Sequence, residues 1–262
     1  MLNVSSQSKS WITYPQPNPR AKLRLFCFHY AGGGAVSFRN WSDALPSEVE
    51  VCPIELPGRG ARLFEQPFTQ LQPLIEALAV ALVPHCTKPF AFLGHSMGAL
   101  VSFELARFAK RSLGESLRRK GDRLPLYLLL SGHRAPQLPD LDPPLHALPD
   151  AELLQELRRY NGTPEAVLQN AELMQLLLPT LRADFSVVET YRYQPEPPLD
   201  CPIFAFGGLQ DWKVKPEDLE AWRQQTTQAF TLQMFPGDHF FLHAHQALVL
   251  RKISDLLEQV LG

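Results

Sequence analysis

The sequence carries no excess of charge of either sign: 25 Lys and Arg stand against 27 Asp and Glu, a formal net charge of -2. That balance disfavours a nucleic-acid partner, because proteins that bind nucleic acid gather basic residues. Cysteine is scarce. Cys27, Cys52, Cys86 and Cys201 are scattered without C-x-x-C spacing, so they read as reduced core thiols rather than a disulfide framework. No run approaches the about 18 apolar residues a membrane-crossing helix needs. The stretch Met1 to Pro19 is rich in Ser, Asn, Gln and Pro and lacks the apolar centre of a signal peptide. Cytoplasm is the resulting expectation. There is also no internal repeat, no low-complexity tract and no glycine-serine linker to divide the chain.

What is present is the composition of a globular domain, 45% hydrophobic and 20% charged over 262 residues. A chain of this length can fold around one core, so residues 1–262 are expected to form a single α/β domain. Short apolar runs alternate with stretches of helical period, the pattern of a mostly parallel central sheet flanked by helices. Strands are expected at Leu23 to Phe28, Val49 to Glu55, Phe90 to Leu93, Leu126 to Ser131, Ile203 to Phe206 and Phe230 to Phe235. Helices are expected at Phe68 to His85, Met97 to Leu113, Pro216 to Thr226 and Phe241 to Leu261. Between Ser131 and Ile203 the rhythm stops for about seventy residues, far beyond ordinary loop length. Asp150 to Tyr160 and Pro164 to Tyr191 are amphipathic there, bracketed by proline-rich runs, so residues 136–200 read as a helical lid insertion.

The sharpest chemical signal is Gly94-His95-Ser96-Met97-Gly98, set between an expected strand and an expected helix. G-x-S-x-G is common by chance, but in this context it makes a nucleophile elbow, a tight turn that exposes the serine hydroxyl. The helix behind it offers unpaired N–H groups and a positive dipole end. Asp211 follows the strand Ile203 to Phe206, and His239 follows the strand Phe230 to Phe235. Both therefore stand at the C-terminal edge of the sheet, where α/β enzymes keep their sites. The chain order Ser96, Asp211, His239 is that of a hydrolase elbow with its base and orienting carboxylate. The turn His29-Tyr30-Ala31-Gly32-Gly33-Gly34 after the first strand suits the second half of an oxyanion hole, with the N–H groups of Ala31 and Met97 as donors.

These residues carry a resemblance to a family. The chain resembles the stand-alone type II thioesterases of polyketide and nonribosomal peptide synthesis, of the α/β-hydrolase fold, over nearly its whole length. The motifs are the Ala31 to Gly34 turn, Leu56-Pro57-Gly58-Arg59-Gly60, the Gly94 to Gly98 elbow, Ser131-Gly132-His133-Arg134-Ala135-Pro136, Leu181-Arg182-Ala183-Asp184-Phe185 and Gly237-Asp238-His239-Phe240-Phe241. His133 stands where the family pattern expects arginine, and the basic stretch after Phe108 is longer than usual. The resemblance implies hydrolysis of acyl groups from the phosphopantetheine arm of acyl or peptidyl carrier proteins. Stalled or mis-primed chains would be cleared by a Ser96-His239-Asp211 triad, with no metal or soluble cofactor. With no carrier domain in the chain, it is expected to act in trans, as a monomer meeting carrier domains transiently. A carboxylesterase or lipase for free esters shares the catalytic residues, and a non-catalytic ligand receptor shares the fold.

Other residues admit more than one role. Asp184 and Asp238 are rival carboxylates, the first on the lid and the second suited to capping the last helix. His95 is expected to pack rather than react. His239 and His243 share helical spacing, but no third ligand cluster accompanies them, so no metal is expected. Leu177, Leu181 and Phe185 are candidates for the wall of an acyl cavity. Arg182 and Asp184 either tether the lid or face water. Arg59, Arg62, Arg134 and Lys213, on loops at the catalytic edge, are candidates for the carrier's phosphate. The basic stretch Arg107 to Arg123 is expected to be a solvated face, since it lies at the far end of the helix from Ser96.

Overall fold

The short apolar runs pair as six parallel strands: β1 (Leu23–Phe28), β2 (Val49–Pro53), β3 (Phe90–His95), β4 (Leu128–Ser131), β5 (Ile203–Gly208) and β6 (Phe230–Phe235). The computed structural model describes residues 10–14, 16–118, 124–139 and 142–261. Residues 1–9 of the Met1 to Pro19 stretch, expected to hold no signal peptide, lie outside these, as do Arg119, Lys120 and Arg123 of the basic stretch.

The strand order is β2-β1-β3-β4-β5-β6, every pair parallel. Among the described residues the antiparallel contact is an isolated bridge between Ile12 and Ile54. Side chains alternate between faces as the two-residue period requires. Phe26, Phe28, Phe90, Phe92, Leu128 and Leu130 enter one apolar cluster with the helices α1 (Leu71–Leu82) and α2 (Met97–Arg118). Leu25, Cys27, Ala91, Leu93 and Leu129 enter the opposite cluster with Phe38 and Trp41 and the last helix. The chain is thus a parallel sheet covered on both faces.

Between β4 and β5 lie α3 (Asp150–Tyr160), α4 (Glu165–Leu168) and α5 (Ala171–Glu189), which share an apolar cluster of their own built on Leu153, Leu157, Leu168, Met174, Leu178 and Leu181. After β5 come α6 (Pro216–Glu220) and, beyond β6, α7 (Phe241–Ala244) and α8 (Gln246–Leu261). Several boundaries differ from the sequence expectation for local reasons. The helix expected to run to His85 ends its α-form at Leu82, because Pro84 cannot continue the hydrogen-bond ladder, and a 3-10 turn follows. The helix expected over Phe241 to Leu261 breaks at His245, whose backbone is not helical (φ -122°, ψ 35°). The segment after Pro216 is α-helical only to Glu220, then 3-10 through Gln225.

The topology determines where loops gather. Connections leave β1 toward β2 on one side and β3 toward β4 on the other, so the C-terminal ends of β1 and β3 part to leave a crevice at this switch point. Phe28 pairs with Gly94 in register. The turn after β1 and the elbow after β3 therefore face each other.

Candidate active site

Ser96 sits between β3 and α2 at φ +54°, a left-handed backbone state costly for a residue with a Cβ. The fold holds it there. Ser96 N–H donates to the Ser131 carbonyl at 2.7 Å, and Ala99 N–H closes on the Ser96 carbonyl at 2.9 Å. The flanking glycines are required by contact: a Cβ on Gly94 would stand 2.0 Å from the Gly98 carbonyl oxygen, and one on Gly98 would stand 2.1 Å from that of Phe28.

His239 Nε2 lies 3.0 Å from Ser96 Oγ, and its Nδ1 lies 2.7 Å from Asp211 Oδ2. Asp211 is fixed from behind, its Oδ1 accepting the N–H groups of Lys213 (2.9 Å) and Val214 (3.2 Å). The turn that carries it hangs on the next strand through Leu209 N–H to Phe235 O and Gln210 N–H to Gly237 O. Nucleophile, base and orienting carboxylate thus form one hydrogen-bonded line, the constellation of serine hydrolases.

Two cavities meet at Ser96, sharing Ala31, Tyr160, Phe185 and His239 in their walls. The smaller, about 280 Å³, runs under the inserted helices and is lined by Leu157, Val167, Leu177, Leu181 and Phe185. The larger, about 620 Å³, is more polar, with Met97, Gln137, His146, Arg134, Lys213 and Arg192 in its wall. Leu177, Leu181 and Phe185 therefore lie where an acyl-binding wall would be, and Ala31 and Met97 both border the nucleophile.

The thioesterase domain family profile matches residues 23–257. The chain belongs to this thioesterase family. It is 50% identical over 261 residues to the gramicidin S biosynthesis protein GrsT of Aneurinibacillus migulanus, covering 100% of this chain and 99% of that protein. The RedJ thioesterase of the prodiginine pathway in Streptomyces coelicolor shares 41% identity at a TM-score of 0.81, over 91% of this chain and 92% of its own. The type II thioesterase BorB of the borrelidin cluster shares 37% at 0.82, over 94% and 96%. The resemblance to type II thioesterases and the α/β-hydrolase fold both hold. The chain is a serine hydrolase acting on thioesters.

In this thioesterase two of the four basic candidates are not at the surface. Arg59 is buried and bonds Asp184 through both terminal nitrogens, at 2.7 Å each. Arg62 is buried between Glu65, the Glu55 carbonyl and the Trp11 ring, 4.0 Å from its centroid. Both guanidinia are buried and bonded within the chain, Arg59 also bordering the smaller cavity, which corrects the expectation of loop cations exposed at the catalytic edge. Arg134 and Lys213 do border the larger cavity, where Arg134 donates to the Pro139 carbonyl and Lys213 pairs with Asp142. Within the basic stretch Arg107 departs from the expected solvated face, buried between Glu104 and Glu196, and Lys110 holds the Pro198 carbonyl and Asp200, while Arg111 is exposed and pairs with Glu196. These residues pin the segment leading into β5.

Of the open readings, Asp184 and Arg182 tether the insertion, the latter through the His146 carbonyl and Asp150. Asp238 caps the turn into α7 through Phe240 N–H and also accepts from Asn161 at the end of α3. His95 packs, its Nδ1 2.8 Å from Ser131 Oγ and its ring 5.3 Å from that of His239. Complete burial pushes its pKa well below the usual range, so it stays neutral beside the base. His243 Nε2 lies 3.1 Å from the Tyr30 hydroxyl. Sequence reasoning missed Tyr160, whose ring stands edge-on to His239 at 6.0 Å and against Trp212 at 5.3 Å. Only its place at the end of an amphipathic helix was visible. Among the described residues no helix is long and apolar enough to cross a membrane.

Proposed function

We propose that this thioesterase hydrolyses acyl groups from the phosphopantetheine arm of acyl or peptidyl carrier proteins, clearing stalled or mis-primed chains in polyketide or nonribosomal peptide synthesis. The observation that carries the reading is the pair of cavities meeting at Ser96. A carrier-bound thioester has an apolar limb on one side of its carbonyl and a polar amide-rich arm ending in phosphate on the other. The smaller, more apolar cavity suits the first and the larger, more polar one the second, with residues 136–200 acting as a lid over the acyl limb.

In this reading Ser96 Oγ attacks the thioester carbonyl carbon while its proton passes to His239 Nε2, and Asp211 stabilises the imidazolium. The N–H groups of Ala31 and Met97 receive the oxyanion, each contributing about 3 kcal/mol. Collapse breaks the C–S bond, and His239 returns the proton to the departing thiol. Water then attacks the acyl-serine, giving its proton to His239, and the carboxylic acid leaves as Ser96 recovers a proton. The reaction calls on no metal or soluble cofactor. We place it in the cytoplasm, as a monomer meeting carrier domains transiently, a setting with which four free thiols are consistent.

Time-resolved intact mass of acetyl- and octanoyl-loaded carrier protein tests this, with wild type and Ser96→Ala side by side. Loss of the acyl mass with wild type alone is expected. A carrier that stays loaded while a nitrophenyl ester is cleaved would favour a free-ester hydrolase, and turnover of neither would favour a receptor.

A further inference from the structure

Two buried charged side chains against the Ala31 turn take no part in the proton transfers. Arg59 and Asp184, 125 residues apart in sequence, meet through two parallel bonds of 2.7 Å, Nη1 to Oδ2 and Nη2 to Oδ1. Buried pairs return little net stability, because desolvation offsets most of their attraction. Their remaining bonds point to another role. Asp184 Oδ2 also accepts the Gly32 N–H at 2.8 Å, and Arg59 Nη1 also donates to the Gly33 carbonyl at 3.1 Å. The pair therefore grips the turn that carries Ala31.

That turn has a conformational choice. Gly33 N–H bonds the Tyr30 carbonyl at 2.9 Å, and Gly32, third of the four residues, has φ +75°. This is the type II arrangement, whose central peptide flips to give type I. The N–H of that central peptide is Gly32's, the group Asp184 holds. A flip alone leaves the Ala31 N–H in place, because both turn types share the φ of the second residue. Losing both anchors, at the Gly32 N–H and the Gly33 carbonyl, frees the whole turn to shift and carries the Ala31 N–H with it. The same lid helix closes on the turn from above: Leu181, three residues before Asp184, has Cδ2 2.4 Å from where a Gly32 Cβ would stand. Thr180 Oγ1, next to it, donates to the Gly58 carbonyl at 2.8 Å in the Arg59 loop.

We infer that Asp184 and Arg59 are positioning residues that hold the Ala31 turn in its oxyanion-binding form only while α5 is seated, so that lid seating and oxyanion-hole assembly are one event. The inference rests on the proposed hydrolysis with Ala31 as a donor.

The test compares wild type, Asp184→Ala and the double variant Arg59→Met/Asp184→Leu, which leaves no unpaired buried charge and should fold where the single variant does not. Three quantities are read: kcat and KM on octanoyl-pantetheine; Ki for an alkyl trifluoromethyl ketone of pantetheine, to which Ser96 adds to form a tetrahedral oxyanion; and Kd for S-octyl-pantetheine, which has no carbonyl. Displacing one donor is expected to lower kcat about 100-fold and to weaken the ketone by a similar factor. The thioether Kd and the KM stay within about twofold of wild type, because ground-state binding does not use the hole. A folded double variant with kcat within about threefold of wild type overturns the inference. So does equal weakening of ketone and thioether. Wild type that binds the ketone yet cleaves no thioester defeats the proposed reaction instead, and the ratio of ketone to thioether binding still decides the role of the pair.

Discussion

Replacing Asp211 by asparagine is expected to disable the enzyme through hydrogen-bond direction rather than through loss of shape. The two oxygens of Asp211 do different work. Oδ1 faces two backbone donors, Lys213 N–H at 2.9 Å and Val214 N–H at 3.2 Å, while Oδ2 faces His239 Nδ1 at 2.7 Å. An asparagine keeps both backbone bonds only with its carbonyl oxygen in the Oδ1 position. Its NH2 group then donates to His239 Nδ1, which moves the ring proton to Nε2. That nitrogen lies 3.0 Å from Ser96 Oγ, and carrying a hydrogen it can no longer take the serine proton. The opposite rotamer restores the tautomer but strands two backbone donors, at about 1–3 kcal/mol each, so it is rare. The expected loss is about 10⁴-fold in kcat, or about 5 kcal/mol of barrier. Single-turnover hydrolysis of octanoyl-pantetheine, followed by thiol release, measures it, with Asp238→Asn as the control retaining near-wild-type turnover. A kcat for Asp211→Asn within about tenfold of wild type would refute the assignment.

Gly98→Ala places a methyl 2.1 Å from the Phe28 carbonyl oxygen and is expected to cost more than about 4 kcal/mol, read as loss of soluble protein or a collapsed urea midpoint; a stable variant would contradict the packing described. Leu177→Phe narrows the smaller cavity of about 280 Å³ and should shift the kcat/KM ratio from octanoyl toward acetyl thioesters by about tenfold or more, whereas an unchanged ratio would place the acyl chain elsewhere. His29 is held to a pKa of about 4 by burial, aided by the Arg59 charge, against 6.5 when unfolded. The unfolded chain thus binds more protons between those values, so the contribution of His29 is complete above pH 6.5 and about 3 kcal/mol is lost as pH falls to 4. Urea titrations at pH 4.5, 5.5 and 7 should show that slope, and a folded His29→Gln variant with the same slope as wild type would remove His29 as its source.

Much of this site was legible because it is written in local sequence. The elbow occupies five consecutive residues between a strand and a helix, and the glycines at 94 and 98 are required by backbone contacts that any G-x-S-x-G turn makes. Asp211 and His239 could be placed because each follows directly on a strand, and parallel strands deliver their ends to one edge. The inserted helices were legible from their apolar period, since α3 and α5 bury one face in a cluster of their own. What the sequence concealed depends on partners far along the chain. Arg62 and Arg107 look like any surface arginine until the fold brings Trp11 to one and Glu196 to the other. Tyr160 acquires its place beside His239 only when α3 is laid across the sheet edge.

Arg59 shows the consequence most directly. As a loop residue at the catalytic edge it was expected to meet the carrier's phosphate, and Arg59→Ala would then raise KM for carrier-bound substrate while sparing small esters. The structure reverses the expectation. The guanidinium is buried, engaged with both oxygens of Asp184 and with the Gly33 carbonyl, so its removal leaves the Asp184 carboxylate buried without its partner, a change that costs about 3–5 kcal/mol in buried pairs. The disturbance falls on the turn next to Ser96, which every substrate shares. Arg59→Ala is therefore expected to depress turnover of octanoyl-carrier and of nitrophenyl octanoate by the same factor. A selective effect belongs to Arg134→Ala and Lys213→Ala, in the wall of the larger cavity, where KM for the carrier substrate should rise while ester turnover stays within about twofold of wild type. Parallel kinetics on the two substrates separate the cases, and an Arg59→Ala enzyme impaired only on the carrier would return that residue to the docking surface.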